Sequence, residues 1–523
     1  LITLTLLLLS LSLPVQATWE DELISGSIGG YFSPTELSTY LTNLKANFTD
    51  LIRTGSVDPT SVKGSSIYYA ELFSTSGLAS DERSSVMITA GQSAEQPLAV
   101  TQALYLLAKW ANEYNTTSRT AYWLQTQKVY FVPMINPDAF AELKSNYTSG
   151  AAVTAGRVKN LKENNCTTTS QRGTNLNRNY NVQYGYDNTG SSNDTCSNYY
   201  RGSEAMSEPE VKAVAQLKSN WSPKLWIHID GTGDFRMIPY SYSTSASLKA
   251  EDLSFYNSIS SSFGGFKTQT SAYGTAANGA IIDYAYAGGA MAFHFSSSSN
   301  ILAQSQILTK VKGDAAHYET LMDYASPQWK LSKKASEYGT CSNCTSSEQE
   351  LSFYFSLKNE GLSSSTGTFT FVLTTSEKAN YTVTTVLAGS ASYEGSNSTI
   401  PLKSVSFTGA EDLNFSFSLG TVGRRTQTDV EIIIKQSGGS SPFKGSYSGK
   451  ATLSKGTTLN LNSAAVTANS VNIPEADDNS GGDEEYTIDE EDESDDNATS
   501  SLLEGGGDHD EEAAIAAIAV ILA

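Results

Sequence analysis

Hydrophobic and polar positions follow two rhythms along the chain, which change near residue 330. Before that point, short apolar runs typical of buried strands alternate with longer segments in which apolar residues recur at helical spacing. The predicted strands are Ser66–Phe73, Ser85–Thr89, Lys128–Met134, Lys224–Ile229 and Ala290–Phe295. The predicted helices are Tyr31–Leu51, Pro97–Tyr114, Ser207–Ser219 and Ile301–Tyr324. This order predicts an α/β domain over residues 25–330, an α/β/α sandwich with a mixed, largely parallel sheet.

From residue 345 to 465 the apolar residues alternate with period two, and Gly, Ser and Asn interrupt the runs. The predicted strands here are Leu351–Leu357, Thr366–Leu373, Tyr381–Leu387, Leu413–Leu419 and Thr428–Lys435. Alternation with frequent turns predicts a smaller all-β sandwich domain. No chemistry is evident in it, so a binding or spacer module is the default interpretation.

Both ends of the chain carry segments that differ from the domains. Residues 1–17 form an apolar run that ends in a small-residue site, which indicates a secretory signal peptide rather than a buried helix. Residues 474–512 are strongly acidic and are predicted to be a disordered, solvated stalk. Residues 513–523 are apolar but too few to span a bilayer, so they are expected to be the start of a truncated membrane anchor or part of an anchor-addition tail.

Composition supports export and excludes one class of partner. The formal net charge of −21 argues against nucleic-acid binding, which needs Lys and Arg to neutralise phosphates. Eleven Asn-x-Ser/Thr sequons agree with a glycosylated, extracellular or cell-surface protein. The sequons are Asn47, Asn115, Asn146, Asn165, Asn193, Asn220, Asn343, Asn380, Asn397, Asn414 and Asn497.

The four cysteines form two local pairs, Cys166 with Cys196 and Cys341 with Cys344. In an exported protein two disulfides are the simplest interpretation. The Cys341-Ser-Asn-Cys344 spacing also suits a redox or half-zinc motif, but no second cysteine pair or nearby histidine completes a metal site.

The stretch Thr89–Pro97 joins a predicted strand to a predicted helix, and it is the first candidate for chemistry. Gly91 suits the tight turn and Pro97 suits the first helical turn, so Glu95 is placed at a helix mouth. Ligands in open α/β sheets bind at the carboxyl ends of the strands. We therefore expect a functional site here.

Five motifs in chain order resemble those of the zinc carboxypeptidase family, of the carboxypeptidase A/B type. The stretch Gln92-Ser-Ala-Glu95 resembles the family's His-x-x-Glu turn, in which both named residues bind zinc. The other four are Asn136-Pro-Asp-Ala-Phe140, Gly173-Thr-Asn-Leu-Asn-Arg-Asn-Tyr180, the loop Tyr200–Glu210 and Ile227-His-Ile-Asp230. The resemblance covers about residues 30 to 325 and implies the same α/β/α fold.

The resemblance implies a zinc site of Glu95 and His228, with Gln92 as a weak ligand in place of the first histidine. His294 takes the place of the glutamate that acts as general base, and Val158 falls on the arginine that polarises the scissile carbonyl, with Arg157 beside it. A carboxamide is a poor zinc ligand compared with imidazole, so the site is expected to be weakened. An alternative is a rearranged site of Glu95, His228 and His294.

The resemblance also implies that substrate recognition is retained. Asn177 and Arg178 match the pair that grips the terminal carboxylate of a peptide, and we call these two residues the carboxylate clamp. Tyr273 matches the tyrosine that caps the substrate. The leading hypothesis is a pseudoenzyme that recognises peptide C-termini while hydrolysis is impaired or lost. The alternatives are an active metallocarboxypeptidase with a rearranged zinc site and a non-enzymatic cell-surface adhesion protein.

Overall fold

The computed structural model describes two parts of the chain in unequal detail. In the N-terminal part the described residues are 18–78, 80, 83–150, 152, 156–243, 245–296, 298 and 301–326. In the C-terminal part they are 329–340, 348–359, 361–362, 365–391, 404–422, 427–437, 445–453 and 466–471. The predicted signal peptide, acidic stalk and apolar anchor, and the pair Cys341 and Cys344, lie outside these ranges. No helix within the described ranges is both long and apolar enough to cross a bilayer.

Seven described strands of the N-terminal part form one mixed sheet. They are β1 (Ile52–Val57), β2 (Ile67–Leu72), β3 (Ser84–Ala90), β4 (Gln127–Val132), β5 (Leu225–Ile229), β6 (Phe235–Met237) and β7 (Met291–Ser296). Their order across the sheet is β1-β2-β4-β3-β5-β7-β6. The central strands β4, β3, β5 and β7 run parallel, and the outer strands pair antiparallel. Strands β1 and β6 escaped the sequence prediction because their half-polar sequences lie at the sheet edges.

Helices cover both faces of this sheet. They are α1 (Trp19–Leu23), α2 (Pro34–Asn47), α3 (Pro97–Glu113), α4 (Ser118–Thr126), α5 (Pro137–Thr148), α6 (Pro209–Trp221), α7 (Ala250–Ile259), α8 (Gln269–Tyr273), α9 (Ile281–Ala287) and α10 (Gln304–Ala325). The predicted start of α2 at Tyr31 was too early, because Ser33 and Glu36 form a capping box that begins the helix at Pro34.

Alternation along the strands builds two cores. In β5, Ile227 packs into the core shared with α2, α3, α7 and α10, whereas Trp226 packs into the core shared with α6 and α9. In β7, Phe293 packs into the first of these cores and Ala292 into the second. Burial on both faces explains the continuous apolar runs of the central strands. The predicted α/β/α sandwich is confirmed.

The C-terminal part is all antiparallel strands, in the order β14-β13-β10-β12-β9-β8 with β11 paired to β10. The strands are β8 (Trp329–Thr340), β9 (Glu348–Asn359), β10 (Ser365–Ala391), β11 (Ser404–Val422), β12 (Gln427–Ser437), β13 (Gly445–Leu453) and β14 (Val466–Val471). The predicted strands Thr366–Leu373 and Tyr381–Leu387 are one strand, β10, whose partner changes from β13 to β12 along its length. Such partner changes are typical of strands that turn the corner of a sandwich.

Candidate functional site

A cavity of about 250 Å³ opens at the carboxyl ends of the parallel strands β3, β5 and β7. Segments that follow β3 and β5, one residue of β7, and the loops around residues 175–178 and 269–275 form its walls. The lining residues are Gln92, Ser93, Glu95, Gln96, Val158, Asn175, Asn177, Arg178, Tyr199, Asp230, Gly231, Thr232, Gln269, Tyr273, Thr275 and His294. Most of the predicted site residues therefore meet in one place, and His228 is the exception.

The turn after β3 brings Gln92 and Glu95 to the cavity. Gly91 makes the turn at a φ of 63°, where a side chain would be strained. The Oε1 of Gln92 accepts a hydrogen bond of 3.2 Å from the Tyr180 hydroxyl, and its buried Nε2 has no acceptor among the described residues. Burial raises the pKa of Glu95, and no described side chain pairs with its carboxylate.

His228, predicted as a metal ligand, lies in the sheet next to the cavity. It lies within β5 and is 1% exposed, directly beside Thr89 and His294 on the neighbouring strands. The indole N–H of Trp226 donates to Thr89 Oγ1 at 2.9 Å, and the same oxygen lies 3.0 Å from His228 Nδ1. Burial holds the pKa of His228 well below its usual range, so the ring is neutral. His228 is not among the residues that line the cavity, but its Nε2 lies 3.8 Å from Oδ2 of the lining residue Asp230 and has no hydrogen-bond partner among the described residues.

Asp230, two residues after His228, lines the cavity. It follows the last residue of β5, and its carboxylate accepts backbone N–H bonds of 3.1 Å from Ser93 and 2.8 Å from Gly231. Burial raises its pKa to about 7. The sequence contained a signal for this position: Asp230 faces the same side as His228 but lies one residue beyond the strand end, where a side chain clears the sheet.

His294, in β7, lines the cavity as the only imidazole among the described lining residues. Its Nε2 donates to the backbone carbonyl of Asp230 at 2.8 Å, which leaves Nδ1 as the acceptor nitrogen. Burial, and to a smaller extent the nearby charge of Arg178, lowers the pKa of His294 to about 4. The ring is therefore neutral at pH 7 and its Nε2 is committed to the backbone.

The carboxylate clamp lies on a single helical turn, Leu176–Arg178, whose N-cap is Asn175. Arg178 is 6% exposed, yet no described carboxylate lies within ion-pair distance of it, and its Nε has no acceptor. Its Nη1 donates to the Asn177 carbonyl, and its guanidinium lies 5.4 Å from the Tyr199 ring centroid. Burial lowers its pKa to about 10. Asn177 Oδ1 accepts from the backbone N–H of Ile281, which fixes that side chain.

A disulfide and a buried lysine hold the loop that carries the clamp. Cys166 and Cys196, the pair predicted from the sequence, are joined, and they close a segment of sequence separation 30 around Arg178. Lys159, which precedes this segment, donates from Nζ to the carbonyls of Thr195 and Ser197 on either side of Cys196, each at 2.9 Å. The clamp is therefore anchored from both sides of the loop.

Tyr273 and Val158 complete the walls. The Tyr273 hydroxyl lies 2.6 Å from Ser296 Oγ, and a Cβ at Gly231 would lie 2.6 Å from the same hydroxyl. Only glycine therefore leaves space for the tyrosine. Val158 lines the cavity, whereas Arg157 beside it is not among the lining residues, and its Nη1 pairs with Glu142 at 3.0 Å.

The cavity side chains do not fit a zinc ion. Zinc in a hydrolytic site takes two imidazoles and a carboxylate with an open position. Here the Gln92 oxygen is engaged by Tyr180, and the Nε2 of His294 is engaged by a carbonyl. Within the described residues no three or more His, Cys, Asp or Glu side chains converge as metal ligands.

Comparison with known proteins agrees with the motifs. A family model described as zinc carboxypeptidase matches residues 37–317, more than half of the chain. Carboxypeptidase A2 from Rattus norvegicus is 26% identical over 171 residues, which are 32% of this chain and 37% of the relative. Carboxypeptidase B2 from Bos taurus is 34% identical over 133 residues, 25% of this chain and 29% of the relative. The chain thus spans about a third of the length of these curated relatives.

A solved structure also aligns over the N-terminal part. Carboxypeptidase A from Helicoverpa armigera has a TM-score of 0.49 at 19% identity, and the alignment covers 58% of this chain and 79% of that one. The assignment of the fold rests on the strand order and layers described above.

Proposed function

The chain belongs to the zinc carboxypeptidase family, and from that premise we propose that it binds the free C-terminus of peptides while hydrolysis is impaired or lost. The carboxylate clamp, Asn177 and Arg178, holds the terminal carboxylate. One side chain that would hold the metal and the one that would activate its bound water are replaced, by Gln92 and His294. Recognition and hydrolysis are separate parts of this proposal and are tested separately.

One observation carries the recognition part: Arg178 is a buried cation in a cavity wall, with no carboxylate partner among the described residues. A buried charge without a counter-charge is costly, and a buried donor without an acceptor adds to that cost. Gln92 Nε2 is a second buried donor in the same wall without an acceptor. A ligand carboxylate supplies a negative charge and two acceptor oxygens, which suits this arrangement.

Three replacements support the loss of hydrolysis. The candidate metal ligands around Gln92 and Asp230 do not fit zinc. A neutral His294, bonded to a carbonyl, replaces the family's general-base glutamate. Val158, in place of the family's arginine, brings no charge to the cavity. Loss of a general base and loss of an oxyanion-stabilising group each lower a rate by about 10² or more. In the absence of both, we expect rates at least about 10⁴-fold below a working peptidase.

Calorimetry with an N-acetylated dipeptide acid and its C-terminal amide tests recognition. We expect the acid to bind at least tenfold more tightly, because charge-assisted bonds to a guanidinium are lost in the amide. Arg178→Gln should abolish the difference. Arg201→Gln is the matched control, since Arg201 lies nearby in sequence, outside the cavity lining, and is engaged by Asp187, Asn188 and Ser191. Equal affinity of acid and amide for the unmodified chain would refute the clamp.

Zinc content and product release test whether hydrolysis is lost. The full chain is dialysed against zinc, washed, and analysed by inductively coupled plasma mass spectrometry, and peptides incubated with it are examined for loss of C-terminal residues. We expect zinc well below one equivalent and no trimming. Stoichiometric zinc with trimming would refute the loss of hydrolysis and leave carboxylate recognition intact.

We also infer that the chain is exported and glycosylated. The disulfide between Cys166 and Cys196 supports an oxidising compartment. Sequon asparagines that the structure exposes are Asn47, Asn115, Asn165, Asn193, Asn220 and Asn380. Expression in a secretory eukaryotic host followed by peptide N-glycosidase treatment should lower the mass of the purified chain. An unchanged mass would contradict glycosylation.

A further inference from the structure

Three cationic side chains lie together at the amino ends of the parallel strands, at the opposite edge of the sheet from the cavity. Arg53 is the second residue of β1, Arg83 directly precedes β3, and Lys128 is the second residue of β4. All three lie over the ring of Phe73. The Cζ atoms of Arg53 and Arg83 are 4.2 and 5.4 Å from its centroid, and Lys128 Nζ is 5.6 Å from it. We call Arg53, Arg83 and Lys128 the basic cluster.

The register of the sheet places these residues side by side. Arg53 pairs with Glu71 across β1 and β2, and Phe73 lies two residues further along the chain. Strand β2 runs antiparallel to β4, so the end of β2 meets the start of β4, where Lys128 lies. Strand β3 has seven residues and separates Arg83 from the turn that lines the cavity by about 20 Å. The basic cluster and the cavity are therefore separate sites.

The basic cluster lacks hydrogen-bond acceptors. Arg53 forms no hydrogen bond or ion pair with a described residue, and its buried Nη1 has no acceptor. Arg83 donates to three backbone carbonyls and Lys128 to the Ser80 hydroxyl. Neither of these two forms an ion pair with a described carboxylate. Arg53 is thus a cation whose donors are not used by the described part of the chain.

The charges around Phe73 are also unbalanced. Burial raises the pKa of Glu71, and the charges of Arg53 and Lys128 oppose that rise, so Glu71 is the carboxyl group that faces the cluster. Three cations against this one carboxyl group leave an excess of two positive charges. The face of an aromatic ring attracts cations, but it supplies neither a full negative charge nor strong acceptor oxygens. A bound anion would supply both.

We propose that the basic cluster binds a sulfate or phosphate group, as the free ion or as a monoester. Such a group carries close to two negative charges, and its oxygens match the paired N–H donors of a guanidinium. Arg53 makes the bidentate contact, and Lys128 adds a point charge. A carboxylate carries one charge and balances half of the excess, so the ligand of this site differs from that of the carboxylate clamp.

Calorimetric titration of the full chain with inorganic sulfate, inorganic phosphate and acetate at low ionic strength tests the proposal. We expect sulfate or phosphate to bind at least tenfold more tightly than acetate, because a second charge and further acceptor oxygens strengthen the contact. Titration with a sugar sulfate and with glycerol phosphate then distinguishes sulfate esters from phosphate esters as the source of the group. Equal affinity for the three ions, or no binding of sulfate and phosphate, would overturn the proposal.

Variants test whether the basic cluster is the binding site. Arg53→Gln and Lys128→Gln should each weaken the binding of sulfate and phosphate at least tenfold, whereas Arg53→Lys keeps the charge and should weaken it less. Arg119→Gln is the matched control. The Arg119 guanidinium lies 4.8 Å from the Trp123 ring centroid, as a cation over a ring, but it is paired with two carboxylates. Binding that is weakened as much by Arg119→Gln as by Arg53→Gln would overturn the proposal.

Arg178→Gln separates this site from the carboxylate clamp, because Arg178 also offers a guanidinium. It should leave the affinity for sulfate and phosphate unchanged, and Arg53→Gln should leave the affinity for the N-acetylated dipeptide acid unchanged. Loss of sulfate and phosphate binding in Arg178→Gln but not in Arg53→Gln would place the anion in the cavity and overturn the proposal. Asp81 and Glu82 precede Arg83 in the sequence. Binding that appears only in Asp81→Asn with Glu82→Gln would show that these carboxylates neutralise the basic cluster, and would also overturn the proposal.

Discussion

Replacing Arg178 by methionine should stabilise the ligand-free protein while it abolishes carboxylate binding. Burial lowers the pKa of Arg178 to about 10. An arginine that is harder to protonate in the folded state than in the unfolded state opposes folding at every pH below that value. The lowering of the Arg178 pKa from 12.5 to about 10 corresponds to a loss of about 3 kcal/mol in the free energy of unfolding. Methionine keeps the apolar stem and removes this charge.

Two losses offset part of that gain. The contact between the guanidinium and the Tyr199 ring contributes about 1 kcal/mol, and the hydrogen bond to the Asn177 carbonyl contributes a similar amount. The net expectation is a rise of about 1 kcal/mol in the free energy of unfolding. Arg157→Met is the matched comparison, because Arg157 is also largely buried but pairs with Glu142 and two carbonyls. Removing that paired cation should cost about 3 kcal/mol.

Urea denaturation, followed by tryptophan fluorescence with and without an N-acetyl amino acid, measures both effects. The unmodified chain should be stabilised by the ligand, and Arg178→Met should be more stable without ligand and unresponsive to it. Arg157→Met should be less stable but should still respond. If Arg178→Met loses stability as Arg157→Met does, the guanidinium has a partner that the structure does not show, and the argument for an external carboxylate fails.

Three further predictions concern the metal position, a buried carboxyl group and the disulfide. The double variant Gln92→His with Asp230→His should bind zinc in equilibrium dialysis. Gln92→His alone should not, because His228 is not among the residues that line the cavity. Zinc binding by the single variant would contradict that placement of His228. Burial raises the pKa of Glu210 to about 7 in the folded protein, from 4.5 in the unfolded chain. The stability that the protonated Glu210 contributes is therefore complete below pH 4.5 and is lost as the pH rises through 7. Glu210→Gln should remove up to about 3 kcal/mol of the decline in unfolding free energy between those pH values in urea titrations, and an unchanged decline would refute burial as its cause. The double variant Cys166→Ser with Cys196→Ser should lower the unfolding free energy by about 3.5 kcal/mol, given the sequence separation of 30. It should also weaken binding of N-acetyl amino acids, because the carboxylate clamp lies in that loop. Unchanged thermal unfolding and unchanged binding would contradict these two expectations.

The sequence by itself determined the layers of the N-terminal part. Continuous apolar runs predicted the central strands, and capping residues and prolines predicted where helices begin, because both signals are local and depend on residues a few positions apart. Edge strands such as β1 and β6 carried no such signal, since most of their residues are only partly buried. The motif around Arg178 could also be assigned early, because its neighbours in sequence are its neighbours in the turn.

Only the tertiary structure decided which side chains share the cavity. His228 and Asp230 are two residues apart and point to the same side, and the end of β5 at Ile229 decides that the first lies within the strand and the second lines the cavity. The exclusion of Arg157 likewise depends on Glu142, a partner from another element. Whether Arg178 has a partner is a property of everything packed around it, so no stretch of sequence contains the answer.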